Sequence, residues 1–155
     1  MGKIGTTATG AVSVERSQFG LWEDDPFGEE TATWMDLPLA SDRPGVTVDP
    51  GAVKVFSSHS EHTAEVAIER AETASPPDGF SSIACIPYCS RSGRIEIWTL
   101  FSGPTGVLLD LGKESGDYIL HVFWRGTVPT VEKQSDPSCA RGSESFRFVF
   151  VPVPD

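Results

Sequence analysis

Three histidines, three cysteines and 22 carboxylates are the groups on this chain with chemistry to offer. His59-Ser60-Glu61-His62 sets two imidazoles three residues apart with a carboxylate between them, which is part of a coordination shell. Zinc sites draw on three or four protein ligands, and the spacing is not that of H-E-x-x-H on a helix. A polar turn is the better reading, and no metal or cofactor is expected. His121 alternates with Ile119 and Phe123 along a strand-like run and is expected to be a neutral structural histidine. Cys85 and Cys89 form C-x3-C, not the C-x-x-C of a redox site. Cys85 alternates with Ile83 and is expected to be buried as a small hydrophobe. Cys89 falls in a turn, where Arg91 would lower its pKa a little. No nucleophile elbow, phosphate-binding loop or dinucleotide glycine pattern is present. No catalytic residue is assigned, and the chain is read as a binding protein rather than an enzyme.

The carboxylates supply the one unusual concentration. Trp22-Glu23-Asp24-Asp25-Pro26-Phe27-Gly28-Glu29-Glu30 places five acids and two large aromatics in nine residues. Such a run repels itself and stays solvated. It also carries both residue types that a docking surface uses. Glu23, Asp24, Asp25, Glu29 and Glu30 would steer and pair with a basic surface, while Trp22 and Phe27 would act as desolvated anchors. The run lacks the D-x-[DN]-x-[DN]-G spacing that gathers oxygens around calcium. Glu61, Glu65, Glu69 and Glu72 offer a second acidic stripe.

The whole chain has the same bias. Its 155 residues carry a formal charge of -10. Residues 1–75 hold 13 acids and 5 bases, and residues 76–155 hold 9 acids and 7 bases. Direct binding of nucleic acid is disfavoured, because phosphate contacts need clustered Lys and Arg. A basic protein partner is favoured. With 39% apolar residues and 15 aromatics, the chain can fill a core, which excludes disorder, and three cysteines exclude a disulfide-dense scaffold. Residues 1–11 form a polar stretch without an apolar segment and are expected to be a flexible tail. The longest apolar run, Phe146 to Pro154, is interrupted by Arg147, Pro152 and Pro154 and is too short for a membrane helix. Without a paired-cysteine framework the expected compartment is the cytoplasm.

The elements that would position these groups are strands. Val12 and Val14 alternate, and the phase changes before Phe19 and Leu21, which suggests one strand with a bulge or break near residues 16–18. Residues 23–50 carry four prolines and two glycines and look loop-like, with Trp34, Met35, Leu37 and Leu39 as anchors. Residues 52–56 and 63–70 suggest a hairpin about a turn at 57–62, although Ala64, Ala67, Ile68 and Ala71 also lie at helical spacing. Strands follow at 80–88, ended by Pro87, and at 94–101, 107–111, 117–125 and 145–153. Residues 126–143 form a second polar loop. On the later strands Tyr118, Leu120, Val122 and Trp124 share one face, as do Phe146, Phe148 and Phe150. About eight short strands separated by turns argue for an all-β chain, an antiparallel β-sandwich or jelly-roll-like domain over residues 12–155.

The order of motifs carries a resemblance. SVERSQFGLWEDD is followed by VDPGAVKVFSS, a polar turn, TAEVAIE, IPYCSRSGRIEIWTL and LLDLGKESGDYILHVFWRG. This order resembles the competence protein J family, inhibitors of a DNA-entry nuclease, over roughly residues 12–126. The shared points are Ser17-Gln18-Phe19, Gly51-Ala52-Val53, Gly93 before the IEI strand, and Gly116-Asp117-Tyr118. The resemblance implies a β fold and an inhibitor-type role with a nuclease as the basic partner, and it transfers no contact residues. Two other readings compete. Trp98 and Trp124 would form an aromatic platform for a carbohydrate or other small ligand. Two carboxylates flanking a sugar bond would make a glycosidase.

Overall fold

A computed structural model describes residues 7–23, 34–113, 115–126 and 144–154. Ten strands and one short 3-10 helix occur among them: β1 (Thr7–Val14), β2 (Gln18–Glu23), the 3-10 turn (Trp34–Asp36), β3 (Gly45–Asp49), β4 (Ala52–Phe56), β5 (His62–Arg70), β6 (Ser81–Ser90), β7 (Arg94–Thr99), β8 (Gly103–Asp110), β9 (Gly116–Gly126) and β10 (Glu144–Pro152). They form two five-stranded sheets. The first has the order β1-β5-β10-β9-β6 and the second β3-β4-β2-β7-β8. Every pairing is antiparallel except β5 with β10. The protein is an all-β sandwich.

Period-two alternation builds the core. Phe146, Phe148 and Phe150 of β10 and Tyr118, Leu120 and Val122 of β9 are all buried. They meet Phe19, Leu21, Val53, Val55, Ile95 and Ile97 of the second sheet in one cluster. Phe19 packs edge-to-face on Phe146 at 5.2 Å across the two layers, and Tyr88 packs on Phe150 at 5.1 Å. Each such ring contributes about 1.5–3 kcal/mol by leaving water.

Several sequence-based boundaries change. Residues 16–18 are not a bulge within one strand. Arg16 and Ser17 both adopt positive φ, 52° and 65°, and turn the chain from β1 in the first sheet to β2 in the second. Residues 63–70 are a strand and not a helix, but with 52–56 they do not form a hairpin, because β4 and β5 lie in different sheets. In each case two alternating runs with a polar connection look alike whether the chain folds back in one sheet or crosses to the other. β6 runs past Pro87 to Ser90, which an edge strand permits because one side needs no N–H donor. A register shift between Ser82 and Ala84 moves its phase, so Tyr88 points inward and Cys85 is exposed, not buried. β1 begins at Thr7, and Thr7 to Ala11 pair with Glu69 to Glu65 inside the stretch read as a tail. Residues 45–49, read as loop, form β3 on the edge of the second sheet.

The outer face of the second sheet is covered at its centre. Trp34 is fully buried, and its ring sits so close over Gly20 that a Cβ there would lie 2.2 Å from it. Only glycine admits this approach. Lys54 Nζ, on the neighbouring β4, donates to Met35 O at 2.9 Å and Leu37 O at 2.7 Å. Burial lowers the pKa of Lys54, and Asp36 partly offsets this.

Candidate functional site

The acidic run begins at the end of β2. Trp22 is half-buried on the outer face of the second sheet, and Glu23 is the last residue of the strand. Asp24, Asp25, Phe27, Glu29 and Glu30 lie outside the described residues. The chain is fixed again at Trp34, so both ends of the ten-residue connection are anchored on the second sheet.

Glu23 is not a surface charge. It is 3% exposed, and its carboxylate faces into the β6–β7 turn. Oε1 accepts the N–H groups of Arg91 (2.8 Å), Ser92 (2.6 Å) and Gly93 (3.3 Å) and the hydroxyls of Ser90 (3.1 Å) and Ser92 (3.0 Å). Oε2 accepts the Tyr88 hydroxyl. Successive backbone N–H groups make an anion-holding nest, and here the anion is the chain's own side chain. Burial, and then the Glu23 carboxylate, push the Tyr88 phenol well above its usual pKa. Glu23 N donates to Gly51 O and Gly51 N to Cys89 O, which joins the same end to the β3–β4 turn. This carboxylate closes one end of the sandwich.

A second buried carboxylate closes the other end. Glu144, which the sequence reading did not single out, is fully buried at the start of β10. Oε1 accepts from Ser57 Oγ (2.5 Å) and His62 Nε2 (2.7 Å). Oε2 accepts from Ser58 N (3.1 Å), Ser58 Oγ (2.6 Å) and Trp124 Nε1 (2.7 Å). Burial pushes its pKa up, but the hydrogen bonds from His62, Ser57, Ser58 and Trp124 win and hold it at about 2. Arg43 extends the cluster, donating to Ser57 O (2.8 Å) and Ser17 Oγ (2.7 Å).

His59 and His62 therefore belong to a packed interior cluster, not to a solvated turn. Their rings meet edge-to-face at 4.8 Å, and His59 is 7% exposed. Burial and the neighbouring His62 lower the His59 pKa, with Glu144 opposing. Ser57 and His62 both point at one oxygen of Glu144, which makes an acceptor hub and not the nucleophile–base–orienter chain of a hydrolase. Among the described residues no group of three or more His, Cys, Asp or Glu is arranged to hold a metal. Glu23 and Glu144 stand at opposite ends of the sandwich, so this pair does not flank one bond.

The other candidates separate. Trp98 and Trp124 do not form one platform. Trp98 lies on the outer face of the second sheet, while Trp124 in the first sheet packs on the core and donates to Glu144. Trp98 instead meets Trp22 edge-to-face, with ring centroids 5.0 Å apart. His121 stacks on Phe123 with a 23° tilt. Desolvation raises the Cys89 pKa, Asp117 and Glu23 add to the rise, and Arg91 is the weaker opposing influence, so the thiol is not activated. Glu65 and Glu69 share the outer face of β5, with Glu69 Oε1 3.5 Å from Arg147 Nε. No described helix is long and apolar enough to cross a membrane.

No family model matches this chain. No curated protein matches it by sequence. Two solved structures are similar over nearly the whole chain. One is ComJ from Bacillus subtilis, described as an inhibitor of the DNA-degrading activity of NucA, at 14% identity and a TM-score of 0.54, covering 98% of this chain and 100% of that one. The other is described as crocagin biosynthetic gene J, at 12% identity and a TM-score of 0.51, covering 96% and 97%. The likeness to ComJ that the order of sequence motifs suggested is thus present in three dimensions, and this chain shares the fold of that inhibitor.

Proposed function

We propose that this protein is a non-catalytic, acidic binding protein that inhibits a nuclease by occupying its basic DNA-binding cleft. The observation that carries the reading is the full-length fold likeness to a nuclease inhibitor in a chain with a formal charge of -10. An enzyme that grips DNA presents a Lys/Arg surface, and a cluster of carboxylates competes with phosphate for it. Asp24, Asp25, Glu29 and Glu30 are the proposed contacts, with Trp22 and Phe27 as anchors. Glu23 is assigned to holding the β6–β7 turn, because its oxygens are already filled.

The test uses a nuclease encoded beside this protein. Its DNA degradation and its affinity for the protein are measured from 50 to about 500 mM salt. The fourfold variant Asp24→Asn, Asp25→Asn, Glu29→Gln, Glu30→Gln is compared with the native chain. Exposed pairs contribute about 0.2–1 kcal/mol each, so the variant should bind roughly 4- to 800-fold more weakly and with a shallower salt slope. Affinity indifferent to both salt and the four substitutions would refute the electrostatic mechanism.

A further inference from the structure

Glu96 stands at the centre of the exposed part of the second sheet's outer face. In register it lies beside Trp22 of β2 on one side and Leu108 of β8 on the other. Arg94 and Trp98 flank it two positions away on β7, hence on the same face. These five residues line an open groove of about 350 Å³. The pairing of β7 with β8 shifts between Glu96 and Trp98, and the Gly106 N–H reaches Glu96 Oε2 at 2.8 Å. That bond fixes the carboxylate, and its second oxygen carries no hydrogen bond among the described residues. Arg94 is exposed at the rim opposite Asp110, so the three charges around the groove sum to one negative.

We propose that this groove is a socket for a single arginine side chain of the basic partner, an inference that rests on the proposed function and names a contact for it. The two indoles meet at 73°, forming a corner and not the flat platform on which a sugar ring lies. The ring faces attract a cation, and a half-buried carboxylate stands at the foot of the corner. A guanidinium can lie along an indole and bond the open Glu96 oxygen, while its methylene stem covers Leu108, which is 43% exposed. Trp22 belongs to both this groove and the start of the acidic connection, so one partner can engage both.

The probe is acetyl-Gly-Arg-Gly-amide, with the neutral citrulline peptide and methyl β-glucoside as controls, titrated into the full chain with the indole Nε1–H resonances as readout. Arginine should shift Trp22 and Trp98 together, with binding at least about fivefold weaker for citrulline. Glu96→Gln, which keeps an oxygen for the Gly106 N–H, should lose that preference, and so should Trp98→Leu, with far-UV circular dichroism checking the fold. The variant with residues 24, 25, 29 and 30 neutralised should keep it. Equal response to citrulline or to the glucoside, or a preference lost in the fourfold variant and kept in Glu96→Gln, would overturn the socket and leave the nuclease reading standing. An intact arginine response beside failed nuclease inhibition would overturn the nuclease reading alone.

Discussion

Replacing Glu144 with glutamine should remove a pH-dependent part of the stability and leave the rest of the pH profile in place. The carboxyl falls from an ordinary 4.5 to about 2 because five hydrogen bonds favour its ionised form over the cost of burial. A shift of that size corresponds to about 3 kcal/mol at 1.36 kcal/mol per pKa unit. The folded pKa is depressed, so the unfolded chain binds the extra proton. The contribution is therefore complete above about pH 5 and is lost as the pH falls toward 2. At pH 3 about 2 kcal/mol of it has gone. Urea unfolding of the native chain and Glu144→Gln at pH 5.5 and at pH 3 follows this term, because the other carboxylates titrate in both. Losing the Glu144 charge also lowers the His59 pKa further, which trims the change. Unfolded-chain histidines stay mostly protonated across that window. The substitution also turns an amide toward the donors of Ser57 and Ser58, which adds a constant penalty of about 1–3 kcal/mol. The native chain should thus exceed the variant by a margin that shrinks by up to about 2 kcal/mol between the two pH values. A margin equal at both would show that Glu144 is not held ionised by its donors, and the account of this end of the sandwich would fail.

Gly20→Ala should displace Trp34, because the added carbon would fall 2.2 Å from its ring. The expected loss is about 1–3 kcal/mol, with a red-shifted tryptophan emission as Trp34 meets water; unchanged emission and stability would contradict the packing described. Glu23→Gln should cost about 2–4 kcal/mol by leaving an amide among buried donors. It should change the salt dependence of nuclease binding far less than the fourfold variant does, whereas Glu23 acting as a surface contact would flatten that slope without destabilising the fold.

The fold was legible because alternation survives translation into layers. Phe146, Phe148 and Phe150 appear as every second residue, the spacing of a strand with one face in the core. Which sheet each strand joins was not legible. The polar connections at 15–17 and 57–61 cross between layers, and their sequences do not differ from hairpin turns. Their geometry comes from contacts distant in sequence, such as Ser17 N to Ser60 O and Ser57 N to Ser17 O. Glu144 was missed for the same reason. Alone beside a polar stretch it looks like any surface acid, and its five donors come from Ser57, Ser58, His62 and Trp124. One weak signal existed: four polar residues, Ser57 to Ser60, directly follow a strand whose inward face is fully apolar. Trp22 was legible as an aromatic beside acids, but its partner Trp98 lies 76 positions away on another strand.

The burial of Glu23 and Glu144 changes what the charge of -10 means. A buried charge still adds to the field at the distance where two proteins first sense each other, although a Debye length of about 8 Å limits its reach. It adds nothing at contact, because its oxygens are already bonded and no partner can approach them. Long-range steering and short-range pairing thus draw on different subsets of the same acids. Steering governs the association rate, and desolvated contacts govern the dissociation rate. On the proposed reading, neutralising Asp24 or Glu30 should therefore slow association slightly and speed dissociation. Glu23→Gln removes the same formal charge and should alter the association rate alone, provided the variant remains folded. If both substitutions speed dissociation equally, the carboxylate of Glu23 must reach the partner, and it would have to leave the nest formed by residues 91–93 to do so.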